Sequence, residues 1–174
     1  MKVVITELNP RHDRAGFDCG EPALNVFLQR LARQQSARDF SKTYVACEPD
    51  TPTILGFYAI SSGSIDFAHW PPALRLPRYP VPVARLARLA VDKRAQGQGA
   101  GAALLSHAVR LAVMLAEHIG LHAMVVDAKD EAAAAFYQRH GFEQLADRPQ
   151  TLFLTLEVAR QAGLAASGRP GAAH

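Results

Sequence analysis

The chain has 174 residues, 49% of them hydrophobic and 20% charged, with a formal net charge of +3 and two cysteines, Cys19 and Cys47. That is enough chain for one domain with a sizeable core, and the composition is ordinary for a globular protein. Two cysteines alone exclude a disulfide framework or a metal cluster, and no apolar run reaches the length of a membrane span. With no signal-peptide pattern at the N-terminus, the expected setting is the reducing cytoplasm, with no membrane and no metal.

Val3–Glu7 reads as a first strand, followed by a polar connection to Glu21. Pro22 suits the first turn of a helix, where a missing N–H costs nothing. Leu24, Phe27, Leu28 and Leu31 then recur at helical spacing until the pattern fades near Asp39. The polar side of this helix is rich in arginine and poor in acids: a solvated face, or one turned to a polyanion. Thr43–Cys47 and Thr53–Ile60 form a predicted antiparallel hairpin around Glu48-Pro49-Asp50-Thr51-Pro52. Ser61-Ser62-Gly63 marks a bend or bulge, with Ser64–Phe67 continuing the strand. Five prolines between Trp70 and Pro82 exclude a helix or central strand and predict a stiff loop carrying Trp70, Arg75, Arg78 and Tyr79.

Val83–Val91 is the next strand, and it places Arg85 and Arg88 among apolar neighbours, each expected to find an internal ion pair. Residues 99–118 form an amphipathic helix with Leu104, Ala108, Leu111 and Leu115 along one stripe, closed by Gly120. Leu121–Asp127 is a buried strand. Asp130 is the expected N-cap of a helix over Glu131–His140, and Gly141 its left-handed terminator. A last strand, Thr151–Leu156, precedes a Gly/Ala-rich tail. The order of elements is that of an α/β (α+β) chain with a mixed, mostly antiparallel sheet flanked by helices. A single domain over residues 1–160, with a tail without structure over 161–174, is the expected organisation.

The chemistry concentrates between the strand ending at Val91 and the helix that follows. Gly97, Gly99 and Gly101 let the backbone approach a ligand closely and turn successive N–H groups to one point. The first turn of the helix adds unpaired N–H groups and the positive end of its dipole, so the loop is an anion site suited to a phosphate or diphosphate. A nucleotide-hydrolase loop would need Lys then Ser or Thr after the second glycine, and here Gly99 is followed by Ala100-Gly101. A dinucleotide fold would place the loop after its first strand.

Arg94-x-x-Gly97-x-Gly99 resembles the Arg/Gln-x-x-Gly-x-Gly/Ala signature of the Gcn5-related N-acetyltransferases (GNAT), and Ala135-Phe136-Tyr137-Gln138-Arg139-His140-Gly141-Phe142 resembles that family's second motif. The resemblance implies the GNAT fold, with acetyl-CoA as cofactor. It implies that Leu89, Ala90 and Val91, then Arg94, Ala95, Gln96, Gly97, Gln98, Gly99, Ala100, Gly101 and Ala102, bind the coenzyme, with Phe136 against its arm. It also implies that the Tyr137 hydroxyl serves the departing thiolate as the catalytic acid, which a phenol of pKa about 10 can do. Backbone amides at the end of the strand, Leu89–Val91, would meet the developing oxyanion.

The strand carries no glutamate to deprotonate an amine, although Asp92 and His140 stand near. A lysine amine of pKa about 10.4 would be almost wholly protonated at neutral pH, whereas an α-amine of about 7.7–8.0 is partly free. The missing base thus favours an α-amino acceptor. Phe17-Asp18-Cys19-Gly20-Glu21-Pro22, Thr43-Tyr44-Val45-Ala46, Gly56-Phe57-Tyr58-Ala59 and Arg88-Leu89-Ala90-Val91-Asp92 resemble the acetyltransferase toxins of bacterial toxin–antitoxin pairs, with departures at Ala87 and Ala100. That resemblance implies acetylation of the α-amine of aminoacyl-tRNA, arrest of translation, a homodimer and a ribbon-helix-helix antitoxin partner. Arg30, Arg33, Arg38 and Lys42, with Arg75 and Arg78, are the candidate tRNA contacts, since RNA asks for a basic surface. The alternatives are acetylation of a small-molecule or peptide amine, and an inactive scaffold that binds coenzyme or partner.

Overall fold

A computed structural model describes residues 1–167. Seven strands form one sheet in the order β1-β2-β3-β4-β5-β7-β6: β1 Val4–Glu7, β2 Lys42–Cys47, β3 Ile54–Ile65, β4 Val81–Val91, β5 Ala123–Asp127, β6 Glu143–Leu145 and β7 Arg148–Thr155. The helices are α1 Pro22–Val26, α2 Ala32–Ala37, α3 Ala100–Leu115, α4 Glu131–Arg139 and α5 Leu156–Ser167. The chain divides into two compact units, Met1–Ser61 with Leu86–Ala108, and Ser62–Arg85 with the chain from Val109 on.

In the first unit, β1, β2 and β3 are antiparallel neighbours, with Thr6 opposite Val45 and Val45 opposite Phe57. The period-two alternation puts Val45, Cys47, Phe57 and Ala59 on one face, where they pack with Phe17, Phe27, Leu28 and Ala32. Phe57 is edge-on to Phe17 at 5.4 Å and stacked on Phe27 at 6.0 Å. The helix expected from Pro22 towards Asp39 is interrupted: Phe27–Leu31 winds as a π-helix between α1 and α2, the N–H of Ala32 reaching the carbonyl of Phe27. Gly56 lets β3 run close to its neighbours, since a Cβ there would stand 2.8 Å from Leu104 Cδ1 and 3.0 Å from the Ala90 carbonyl. On the opposite face Tyr58 donates to or accepts from His107 Nδ1 at 2.8 Å and stacks on Tyr44 at 5.2 Å.

In the second unit, β5 and β7 pair antiparallel, Val125 opposite Phe153, and β6 folds back on β7. Ile65, Val81, Val83, Val125, Leu145 and Phe153 form a core on which Trp70 is buried, its ring 5.0 Å from that of Phe153. The proline-rich segment thus covers a core with Trp70. One short 3₁₀ turn, Phe67–His69, leads into it and another, Pro72–Leu74, lies within it, and Arg75, Arg78 and Tyr79 are left exposed.

Several expectations are revised. β3 runs through Ser61-Ser62-Gly63 without a break to Ile65. Gly120 is not left-handed: α3 ends at Leu115, and turn bonds from Glu117, His118 and Ile119 finish it. Asp130 caps α4 as expected, its carboxylate accepting the Ala133 N–H at 2.8 Å, and Gly141 terminates it at φ +93°. Helix α5 occupies the first part of the stretch where a tail without structure is expected, and residues 168–174 lie outside the described residues.

Candidate active site

The glycine loop is built outward from one buried carboxylate. Asp92, 2% exposed, ends β4 and caps the 3₁₀ turn Lys93–Ala95. Its Oδ1 accepts the Arg94 N–H at 2.9 Å and Arg94 Nε at 2.8 Å. Its Oδ2 accepts the second guanidinium nitrogen of Arg94 at 3.0 Å and the Asp18 N–H at 2.9 Å. Burial pushes its carboxyl up, but the hydrogen bonds from Arg94 and the Asp18 N–H outweigh that and hold it at about 2. A carboxylate so fully engaged is a hub of the loop and not a general base, which removes Asp92 from the bases considered above. The signal for it is local: an Asp followed two residues on by the N–H that it caps.

The same hub ties the loop to the segment before α1. Lys93 N–H donates to the Asp18 carbonyl at 2.9 Å, and Lys93 Nζ lies 3.5 Å from Asp18 Oδ2. Gln96 Nε2 donates to both the Cys19 carbonyl at 3.1 Å and the Val91 carbonyl at 2.9 Å. Sequence spacing gave no sign of this clasp, because its two halves are 77 positions apart.

Beyond the clasp, Gly97 and Gly99 take φ of +76° and +90°, with nothing within 4 Å of where a Cβ would stand. Left-handed backbone explains the glycines; crowding does not. Ala100 opens α3, and the first helical bond recorded from its start runs from Ala103 N–H to the Gly99 carbonyl at 3.0 Å. The N–H groups of the first turn have no partner within the helix. Gly97, Gln98 and Gly99 are exposed, Gly101 and Ala102 half-buried, Ala95 and Ala100 buried. An open, positively polarised loop of this kind fits the diphosphate of a coenzyme. The Arg94 guanidinium is engaged with Asp92, so its contribution to the loop is to hold the turn in shape.

Leu89 and Val91 are half-buried and Ala90 buried at the end of β4. Of the two β4 arginines, Arg85 finds its ion pair, Asp127 Oδ2 at 2.8 Å. Arg88 does not: its guanidinium lies 3.9 Å above the Phe27 ring, and it has no carboxylate partner among the described residues.

In the second unit α4 presents Phe136 and Tyr137 at neighbouring positions, their rings 5.3 Å apart. Tyr137 is 8% exposed and lies against Phe142 at 5.6 Å. Burial pushes its phenol up to about 12. It therefore stays protonated at every physiological pH, with a proton to donate and no capacity to act as a phenolate base. His140 Nδ1 is 2.8 Å from the Phe136 carbonyl, which fixes Nδ1 as the donor and leaves Nε2 on an exposed ring.

The basic candidates are scattered. Arg30 and Arg33 are exposed; Arg38 lies 5.0 Å over the Phe40 ring; Lys42 is paired with Asp39 at 2.9 Å. Arg75 is exposed in left-handed backbone at φ +50°, and Arg78 lies 5.9 Å from the Phe67 ring.

Comparison with known proteins agrees with this chemistry. An acetyltransferase (GNAT) domain model matches residues 39–144 and so spans parts of both units. A tRNA-acetylating toxin of Mycobacterium tuberculosis (strain ATCC 25618 / H37Rv) is 39% identical over 150 residues, 85% of this chain and 89% of that protein. The structure of AtaT complexed with acetyl-methionyl-tRNAfMet is similar with a TM-score of 0.86 at 29% identity, covering 93% of this chain and 99% of that one. A Tyr-to-Phe mutant of AtaT bound to acetyl-CoA and to the C-terminus of the antitoxin AtaR gives 0.79 at 29% identity, covering 92% and 98%. The chain belongs to the GNAT acetyltransferase family.

Proposed function

We propose that this chain is the toxin of a toxin–antitoxin pair and acetylates the α-amine of aminoacyl-tRNA. The observation that carries the reading is the loop: two left-handed glycines with open space around them, at the start of α3, braced by a buried carboxylate. Acetyl-CoA, when bound, supplies an activated acetyl thioester. The N–H groups from Gly97 to Ala102 would hold its diphosphate, Phe136 would pack against its arm, and backbone amides of Leu89–Val91 would orient the acyl group. As the amine nitrogen bonds to the acyl carbon and the carbon–sulfur bond breaks, Tyr137 would give its proton to the departing sulfur and recover one from the acylated nitrogen, so that a thiol and a neutral amide leave.

The acceptor follows from what β4 lacks. None of its eleven residues is acidic, so nothing on the strand deprotonates an amine. An α-amine of pKa about 7.7–8.0 is partly free near neutrality, whereas a lysine of about 10.4 is not. The similarity to a tRNA-acetylating toxin supports the nucleic-acid acceptor, with Arg30, Arg33, Arg38, Lys42, Arg75 and Arg78 as proposed contacts. The complex of AtaT with the C-terminus of AtaR supports an antitoxin partner, which we take to be of the ribbon-helix-helix type. A homodimer acting in the cytoplasm completes the reading; no helix among the described residues is long and apolar enough to cross a membrane.

The test is transfer of labelled acetyl from acetyl-CoA to charged and to uncharged tRNA. Label on charged tRNA alone is the expected result. No label on charged tRNA, with transfer to a small amine, overturns the tRNA acceptor.

A further inference from the structure

Arg88 is a cation without an anion among the described residues. It stands three positions from Arg85, so the two point to opposite faces of β4, and of the pair only Arg85 meets a carboxylate among the described residues. The Arg88 guanidinium sits 3.9 Å above the ring of Phe27, which is 1% exposed, and burial lowers its pKa from the ordinary arginine value. A contact with an aromatic face offsets part of the desolvation of a cation, but it satisfies none of the five N–H donors of the guanidinium. No hydrogen bond to those donors occurs among the described residues. Half-buried charges are ordinarily paired, because an unpaired one forfeits its hydration for nothing.

The segment that carries Phe27 points to what would pair it. Phe27 opens the π-helical turn Phe27–Leu31, a widened geometry that recurs at functional sites. The chain from Pro22 to Arg38 contains Arg30, Arg33 and Arg38 and no acidic residue. Arg14 adds a further guanidinium, donating to the Gln29 carbonyl at 3.2 Å. The ligand is therefore anionic. A planar fork of N–H donors matches the paired oxygens of a phosphodiester better than a point cation does.

Two sources of phosphate are available in the proposed reaction, the coenzyme and the acceptor. The coenzyme diphosphate has its own loop beyond Asp92, four residues of extended strand or about 13 Å further on. We propose that Arg88, seated on Phe27, binds a backbone phosphodiester of the acceptor nucleic acid. This rests on the tRNA reading above.

The experiment compares the full chain with Arg88→Gln and Arg88→Lys. Binding of uncharged tRNA, read by fluorescence anisotropy over a range of salt, involves no chemistry. Arg88→Gln is expected to weaken it about tenfold and to lower the salt slope by about one. Arg88→Lys keeps the charge but not the fork and should weaken it about threefold, which preserves the test if the glutamine variant folds poorly. KM for charged tRNA should rise in parallel, while KM for acetyl-CoA moves less than about twofold. Unchanged tRNA affinity in both variants overturns the proposal, as does an equal rise in KM for acetyl-CoA, which would assign the anion to the coenzyme. Wild-type protein that labels charged tRNA while both variants bind like it sinks this inference alone. Wild-type protein that neither binds nor labels tRNA sinks the acceptor reading and this one with it.

Discussion

Asp92 and Arg94, two positions apart, are joined by three hydrogen bonds, one from the Arg94 backbone and two from its guanidinium, at 2.8 to 3.0 Å. The fourth bond to the same carboxylate comes from Asp18, on a segment 74 positions away. One side chain therefore sets the strand end, the turn into the glycine loop and the segment leading to α1. Asp92→Asn replaces an acceptor with a donor facing donors. It is expected to cost on the order of 2 kcal/mol in urea unfolding and to raise KM for acetyl-CoA about tenfold, because the loop loses its brace.

The same carboxylate makes stability depend on acid. Its folded pKa of about 2 lies below the ordinary 3.8, so the folded state favours the ionised form. Stability from this group is complete above pH 3.8 and is lost as pH falls towards 2. The urea midpoint of the wild type should fall over that interval more steeply than that of Asp92→Asn. Parallel curves would show that the carboxylate is not the titrating group.

Glycines in this chain serve two purposes, and substitution should separate them. Gly97→Ala and Gly99→Ala meet no neighbour within 4 Å but must hold φ of +76° and +90°. Each is expected to cost about 1 kcal/mol and to raise KM for acetyl-CoA by reshaping the loop. Gly56→Ala instead drives a methyl to 2.8 Å from Leu104 Cδ1 and 3.0 Å from a backbone carbonyl. Its expected effect is a loss of about 1–3 kcal/mol in overall stability, read by thermal melting.

Tyr137→Phe tests the acid. The ring contacts to Phe136 and Phe142 survive the substitution, so stability should change by less than about 0.5 kcal/mol. The rate constant kcat should fall about 10²–10³-fold. With its phenol at about 12, Tyr137 gives no falling limb in the alkaline pH–rate profile of the wild type below about pH 11. The rising limb reports the acceptor amine. A falling limb near pH 9 that disappears in Tyr137→Phe would contradict this placement of the pKa.

The local features of the chain were legible in its sequence. Apolar runs marked β2, β4 and β7, Asp130 and Gly141 bracketed α4, and the glycines at 97 and 99 marked a loop of permissive backbone before a helix. Each depends on residues within a few positions of one another, where backbone sterics and hydrogen bonding already decide the outcome. Tertiary structure decided what depends on distant partners. β6 is three residues long and exists because β7 supplies its hydrogen bonds. The π-helical turn interrupts a stretch with unbroken helical periodicity. Arg85 and Arg88 read alike on the strand, yet Asp127 neutralises the first, while the second meets the Phe27 ring and no carboxylate among the described residues. Asp92 read as a spare base until Asp18 and Arg94 closed around it. Sequence alone settled where backbone could bend and which faces were apolar; which charges found partners was settled by packing, because the cost of a buried charge depends on groups that only the folded chain brings near.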